Sequence, residues 1–303
     1  MSGKTKKQKQ PLTLERIKER TAYKLILIPV IYFIITRAVP TIYSFVLSFM
    51  KWDLLNPKKK FIGLDNYSAI LADPAFQAAL INTVKYVVIC VPIMLLISVV
   101  LALLLNEIRF GQSFFRLLVF IPYVTSTVAI SWVWKWMFMA NGGVVNGLLR
   151  ALGFSAQPFM TSTSQSIMVI MSNVIWSSIG FNTIIVLAGL LQIPKTYYEA
   201  AEVDGATSWQ QFWRITVPQM NPTLVYIAVM GTIRTLQVFT QVYNIAGVEG
   251  GPLKSTTSLV LEIYLTAFKR YQMGKASAIT VILFIIIMII TIIQMKVLNR
   301  DTD

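Results

Sequence analysis

The run ASAITVILFIIIMIITIIQMKV, Ala276–Val297, carries one charged residue, Lys296, over a length that crosses a bilayer. About 20 apolar residues suffice as a helix, because in hydrocarbon each backbone N–H and C=O must be satisfied within the segment. Five earlier runs approach the same length, at about 25–49, 84–105, 117–139, 167–191 and 223–246. The pattern predicts an all-α integral membrane protein with six transmembrane helices. Composition agrees: 55% of the 303 residues are hydrophobic and 13% charged, against roughly 25% charged in a soluble domain. The first run contains Pro29, Arg37 and Pro40 and is expected to kink.

Orientation follows from the basic residues. Eight (Lys4, Lys6, Lys7, Lys9, Arg16, Lys18, Arg20, Lys24) precede the first run, and four (Lys51, Lys58, Lys59, Lys60) separate it from the second. The excess of cytoplasmic Lys and Arg in membrane proteins places residues 1–24 in the cytoplasm. Six crossings then return residues 299–303 to the same side, with one membrane domain over 25–298. The first run is too long for a signal peptide's apolar region, so it reads as a retained helix. Lys254, Lys269, Arg270 and Lys275, in the segment 247–275, fall outside against the trend. The net charge of +14 therefore concerns orientation and anionic lipid rather than nucleic acid.

Several chemistries are excluded. There is no His and a single Cys, Cys90, so neither a Ser–His–Asp nor a Cys–His arrangement exists, nor a zinc site of Cys and His. No Asp or Glu falls within the six runs, whereas secondary transporters often use intramembrane carboxylates for ion coupling. No phosphate-binding loop is present: Gly274-Lys275 is followed by Ala276, and Lys269 stands where the first Gly belongs. No catalytic residue, metal site or cofactor is assigned, and the chain reads as a non-enzyme.

The connection 194–218, within IPKTYYEAAEVDGATSWQQFWRITVP (Ile193–Pro218), has helix–turn–helix grammar rather than that of a linker. Thr196 with Glu199, and Ser208 with Gln211, fit capping boxes. Gly205 suits a reversal, and Trp209, Phe212, Trp213 and Ile215 form an apolar stripe. Such an element either rests on the membrane surface or docks a cytoplasmic partner. A second feature is polarity at membrane depth. Arg37 and Arg234 lie near the middle of their runs, and Arg234, Gln237, Gln241 and Asn244 recur at helical spacing. On the fourth run Asn173, Ser177, Gly180 and Thr183 do the same beside Trp176. Amides, hydroxyls and a guanidinium suit sugar hydroxyls, although such groups also hydrogen-bond between membrane helices. Trp132, Trp134 and Trp136 read as an interfacial anchor.

The segment EAAEVDGATSWQQFWRITVP resembles the EAA loop of ATP-binding cassette importer permeases, with Glu199, Ala200, Ala201, Asp204, Gly205, Ala206, Phe212, Ile215 and Pro218 in matching places. FIGLDNY (61–67), Asp73-Pro74-Ala75-Phe76, Gly250-Gly251-Pro252 and Gly274-Lys275-Ala276-Ser277-Ala278 resemble carbohydrate permeases of the maltose-transporter type, first permease subunit, in a short six-helix form. The resemblance implies a type I importer-permease fold in a bacterial or archaeal cell membrane. It implies a permease subunit of an ATP-driven, binding-protein-dependent importer of sugars, with oligosaccharides expected, working by alternating access. The expected partners are a second permease in a heterodimer, two ATPase subunits or domains, and an extracytoplasmic solute-binding protein. In that family Glu199 would make the main polar contact to the ATPase, Ala200 and Ala201 would allow close approach, and Gly205 would permit the turn, with Asp204 and Ala206 in the same coupling element. Gly250, Gly251 and Pro252 would meet the binding protein. Arg234, Gln237, Gln241, Asn244, Asn173, Trp176, Ser177 and Arg37 are the expected pathway residues. The two arginines would also suit an anionic solute, such as a uronic-acid oligosaccharide or glycerol phosphate.

Overall fold

A computed structural model describes residues 14–298; the basic tail before them and residues 299–303 lie outside the described part. The chain begins with α1 (Leu14–Phe33), a π-helical turn (Ile34–Ala38) and α2 (Val39–Ser48). Pro40 has no N–H for the Thr36 carbonyl, and the Val39 N–H instead reaches Ile34, five residues back. The irregularity expected in the first run thus takes the form of a π turn, and it carries Arg37.

The expectation of helix alone is corrected by the segment after α2. Strands β1 (Met50–Asp53) and β2 (Asn56–Phe61) form an antiparallel hairpin. Asn66, in α3 (Asp65–Leu71), donates to the Ser48 and Met50 carbonyls and fixes the hairpin's base. The next helix, α4 (Pro74–Glu107), is the longest. Asp73 caps it by accepting from the Ala75 N–H at 2.8 Å, with Pro74 at the first position, where a missing donor costs nothing.

The third run is not one helix. It divides into α5 (Gln112–Val124) and α6 (Thr127–Met137), bent by 90°. Pro122 removes a ladder donor just before the break, and Thr125 and Ser126 leave helical space with ψ of 144° and 120°. The short α7 (Val144–Ala151) precedes α8 (Gln165–Leu190), which carries the fourth run unbroken. The 194–218 connection holds α9 (Lys195–Val203), α10 (Ser208–Gln211), a π turn (Phe212–Thr216) and α11 (Val217–Gln219).

The fifth run also breaks. Helix α12 (Asn221–Leu236) ends at Gln237, and α13 (Thr240–Ile245) restarts after Phe239, whose backbone (φ −137°, ψ −58°) cannot continue the ladder. The Ser258 hydroxyl donates to the buried Val238 carbonyl inside this gap. After α14 (Leu259–Tyr264) and a π turn (Leu265–Lys269), α15 (Met273–Leu298) forms the last run. Among the described residues four helices are long and apolar enough to cross a membrane, five if the bent α5–α6 pair counts as one. Helix α12, 16 residues and about 24 Å long, is short of a full span.

Helices α4 and α8 share the most extensive contact and form the axis of the bundle. Around them Tyr86, Cys90 and Met94 meet Ile170, Val174 and Val242 in one cluster. Ala102, Leu105, Leu187, Met220 and Ile227 form another, toward the 194–218 loop. A third joins Phe76, Leu236 and Leu259 to Ile279 and Leu283. The first helix is the exception. None of its most apolar window is buried, and only its α2 end packs, with Phe45 edge-on to Phe284 of α15 at 5.6 Å.

Gly180 lets α5 approach α8, because a Cβ there would collide with the Val119 carbonyl. Backbone cannot step aside as a side chain can. Gly180→Val should therefore lower the thermal midpoint of the purified protein in detergent, by the equivalent of about 1–3 kcal/mol. Gly147→Ala, on α7 with open space around it, is the control and should leave the midpoint unchanged or slightly raised.

Candidate functional site: a membrane cavity and the loop beneath it

The two broken spans face each other across a cavity of about 450 Å³. Pro122, Tyr123, Thr125 and Thr127 come from the α5–α6 elbow, while Gln237, Phe239, Thr240 and Gln241 come from the α12–α13 break. Ser177, Ser178 and Asn182 of α8 and Arg234 of α12 complete its polar lining. The Arg234 guanidinium carbon lies 5.0 Å from the centre of the Phe181 ring and 5.8 Å from that of Tyr123. Those two rings are themselves stacked at 4.8 Å. Face-on aromatic contact holds a cation without engaging the N–H groups around its edge.

The expected pathway residues divide. Arg234, Gln237, Gln241 and Ser177 line the cavity together. The continuous stripe expected on the fifth helix is corrected, since the break after Leu236 re-aims the residues beyond it. Asn244 turns back and donates to the Thr240 carbonyl at 2.7 Å. Asn173 is fully buried outside the lining, and neither amide atom has a partner among the described residues. Trp176 packs on Trp134 at 4.8 Å, and the Trp134 indole donates to Ser172. Of the three Trp expected to anchor at an interface, only Trp132 and Trp136 are exposed, at 56% and 55%. Arg37 sits exposed on the first helix and does not line this cavity. Sequence reasoning missed Tyr123, Phe181, Ser178 and Asn182. The i, i+4 spacing of Ser178 and Asn182 was a readable signal; the aromatic pair had none.

At one end of the bundle the 194–218 loop is braced as a rigid body. Helix α9 closes in a Schellman turn: Gly205 has φ +75°, its N–H bonds the Glu202 carbonyl at 3.0 Å, and the Ala206 N–H bonds Ala201 at 2.9 Å. Both expected capping boxes are corrected. Helix α9 starts after Pro194 without a side-chain cap, so Thr196 and Glu199 do not cap it. The box at α10 is made one residue earlier than expected. There Thr207 is in extended conformation, and its N–H donates to Gln210 Oε1 at 2.8 Å. A Tyr198–Thr216 hydroxyl bond of 2.9 Å ties the two limbs, and Trp209, Phe212 and Trp213 pack edge to face. Glu199, Ala200, Asp204 and Gly205 are exposed, while Ala201 and Ala206 are half-buried.

At the opposite end, the 247–258 loop is built on unusual backbone. Gly250 and Gly251 have φ of +74°, and a Cβ on Gly250 would collide with the Thr257 hydroxyl. After Pro252, Leu253 (φ 50°) and Lys254 (φ 59°) also take left-handed conformations, and Leu253 is 90% exposed. Non-glycine residues enter that region only at a cost, so the surrounding bonds must enforce it. Asn82 of α4 does so by donating to the Lys254 and Thr257 carbonyls, and Tyr86 by donating to Thr256.

Comparison with known proteins agrees with this arrangement. Residues 78–303 match the family described as "Binding-protein-dependent transport system inner membrane component". The chain is 38% identical over 233 residues to the lactose transport system permease protein LacF of Rhizobium radiobacter, covering 76% of this chain and 78% of that one. It is 33% identical over 244 residues to the trehalose/maltose transport system permease protein MalF of Thermococcus litoralis, covering 80% and 81%. Among solved structures, one chain of a bacterial ABC transporter "involved in the import of the acidic polysaccharide alginate" superimposes with a TM-score of 0.83. That match covers 95% of this chain and 98% of the other, and at 24% identity it establishes the fold. The chain thus belongs to the binding-protein-dependent transport system inner membrane component family, as a multi-pass protein of the membrane.

Proposed function

We propose that the protein is the permease subunit of an ATP-driven, binding-protein-dependent importer of sugars, with oligosaccharides as cargo, working by alternating access. The observation that carries this reading is the braced 194–218 loop, which presents three exposed carboxylates, Glu199, Glu202 and Asp204, on one short, doubly tied element. ATP-driven closure of two cytoplasmic domains must push on something that does not deform. A helix locked by a Schellman turn and a capping box answers that need. Glu199 makes the main charge-assisted contact with a basic cleft of an ATPase, and the small Ala200, Ala201 and Ala206 let that surface come close. The permeases for lactose and for trehalose/maltose support the sugar assignment by their similarity.

Six crossings, over 25–298, follow in this reading if α12 and α13 together make the fifth span and both termini stay in the cytoplasm. The exposed first helix supports a second permease. Among the described residues its most apolar stretch and Arg37 have no cover, and a neighbouring subunit supplies it. Gly250, Gly251 and Pro252, at the end away from the coupling loop, receive the solute-binding protein, and Leu253 is the exposed tip of that surface. The cavity forms this subunit's part of the pathway, where Gln237, Gln241, Ser177 and Arg234 meet sugar hydroxyls.

Two measurements test this. Glu199→Lys, assayed in proteoliposomes with the ATPase and binding protein, should lower uptake by roughly 10- to 100-fold while ATP hydrolysis continues, the loss expected for one charge-assisted contact. Full uptake driven by a proton gradient with no ATPase present would overturn the assignment. Ser177→Trp, which fills the cavity, should abolish uptake from a complex that still assembles. Undiminished uptake would remove the cavity from the pathway.

A further inference from the structure

We propose that the cavity selects an anionic, polyhydroxylated solute (a sugar bearing a carboxylate or phosphate group) and that Arg234 is the group that pairs with its negative charge. This rests on the reading of the cavity as part of the pathway. Among the described residues Arg234 is the one charged side chain lining the cavity. Its guanidinium lies beside the Phe181 and Tyr123 rings and makes no side-chain hydrogen bond or ion pair among the described residues, and the ion pair present joins Arg270 to Glu262. Its N–H donors are therefore free of protein partners among the described residues. An unused, planar fork of donors fits a carboxylate or phosphate in bidentate geometry.

A neutral sugar does not require this group. Gln237, Gln241, Asn182 and Ser178, in the same lining, already provide both donors and acceptors for hydroxyls. Arg234 adds donors only, together with a permanent positive charge, and its side chain is exposed to the cavity. Its distinct contribution is toward a negatively charged ligand.

The opposite end of the bundle from the coupling loop supplies an independent observation. Lys254, Lys269 and Arg270 line one depression there with Glu249. Lys51 and Lys275 line another with Asp53. Counting Glu262, which pairs with Arg270, bases outnumber acids five to three. This is the side where the distribution of charge in membrane proteins favours fewer basic residues. A net positive surface at this end attracts anions. It carries the same sign as Arg234 in the cavity.

The test is ligand stabilisation of the purified importer complex, read as the shift of its thermal midpoint with titrated trigalacturonate, its carboxyl-reduced neutral counterpart trigalactose, and a sugar phosphate. Binding to the native state raises the midpoint. At least one of the two anions should bind roughly 10- to 100-fold more tightly than trigalactose, with an advantage that shrinks in high salt. Which of them it is separates a carboxylate from a phosphate cargo. Arg234→Gln should cost the preferred anion at least about tenfold more than it costs trigalactose, and Arg234→Lys should retain part of the anion's advantage. Equal binding of all three probes to the native protein would overturn the proposal, as would equal loss for charged and neutral probes in Arg234→Gln. If Arg234→Gln fails to assemble, the comparison of probes on the native complex decides alone. Ser177→Trp separates the underlying reading: if it leaves the binding of every probe unchanged, the ligand lies outside this cavity and the pathway assignment falls with the proposal.

Discussion

Everything distinctive in this chain stems from the cost of a backbone group without a partner in hydrocarbon, several kcal/mol for each. A membrane helix can be interrupted only where something else completes the ladder. At Pro40 the chain does so by widening into a π turn, so that the Val39 N–H reaches Ile34. At the α12–α13 break the Ser258 hydroxyl takes the Val238 carbonyl. At the α5–α6 elbow the break opens onto the cavity, whose polar lining includes Thr125 and Thr127. Irregular backbone at membrane depth is tolerated where it lines such a space, so the cavity and the breaks are one feature. Neither would be stable without the other.

The same constraint explains which features could be read from residues alone. Runs of apolar side chains mark where the chain is buried in lipid or protein, and the last, fourth and second runs appear as the unbroken helices α15, α8 and α4. Hydropathy is blind to where a ladder stops, because Val238 and Phe239 are as apolar as the helix before them. Only Pro122 and Pro40 announced a break chemically, and the Gln237–Phe239 gap depends on Ser258, twenty residues away. The hairpin of Met50–Phe61 was hidden for a related reason. Its strands are short, and Asn66, the residue that fixes it, acts through backbone carbonyls of the preceding segment.

Among the site residues, those close to a break or facing it were legible. Arg234, Gln237 and Gln241 meet at the gap whether or not one helix is assumed, because the interruption re-aims only the residues well past it. Asn244 is one of those and was misplaced by the assumption of a continuous helix. Asn173 and Trp176 failed differently. They share a helix with Ser177 but lie outside the cavity lining, Trp176 against Trp134 of α6 and Asn173 fully buried, and one face of a helix cannot be told from the next by composition when both are mixed. Tyr123 and Phe181 could not have been found at all, since their role comes from stacking between two helices that Gly180 allows to touch.

The loop and the cavity are mechanically continuous. Ile193 and Met220, at the two ends of the 194–218 segment, are buried in the cluster that also holds Leu187 of α8, Ile227 of α12 and Leu105 of α4. In the proposed importer a push on α9 would pass through the Tyr198–Thr216 bond and this cluster to the very helices that carry Ser177, Asn182 and Arg234. Close-packed interiors transmit such displacement rather than absorb it. The breaks then set where the motion is released. Past Leu236 the ladder of α12 is interrupted, and the strained 247–258 loop is tied separately to Asn82 and Tyr86 of α4. In the proposed importer the gap at Gln237–Phe239 is the hinge, and the residues that meet the solute sit on both sides of it. In that reading, movement at the loop would change the shape of the cavity directly, without a separate relay.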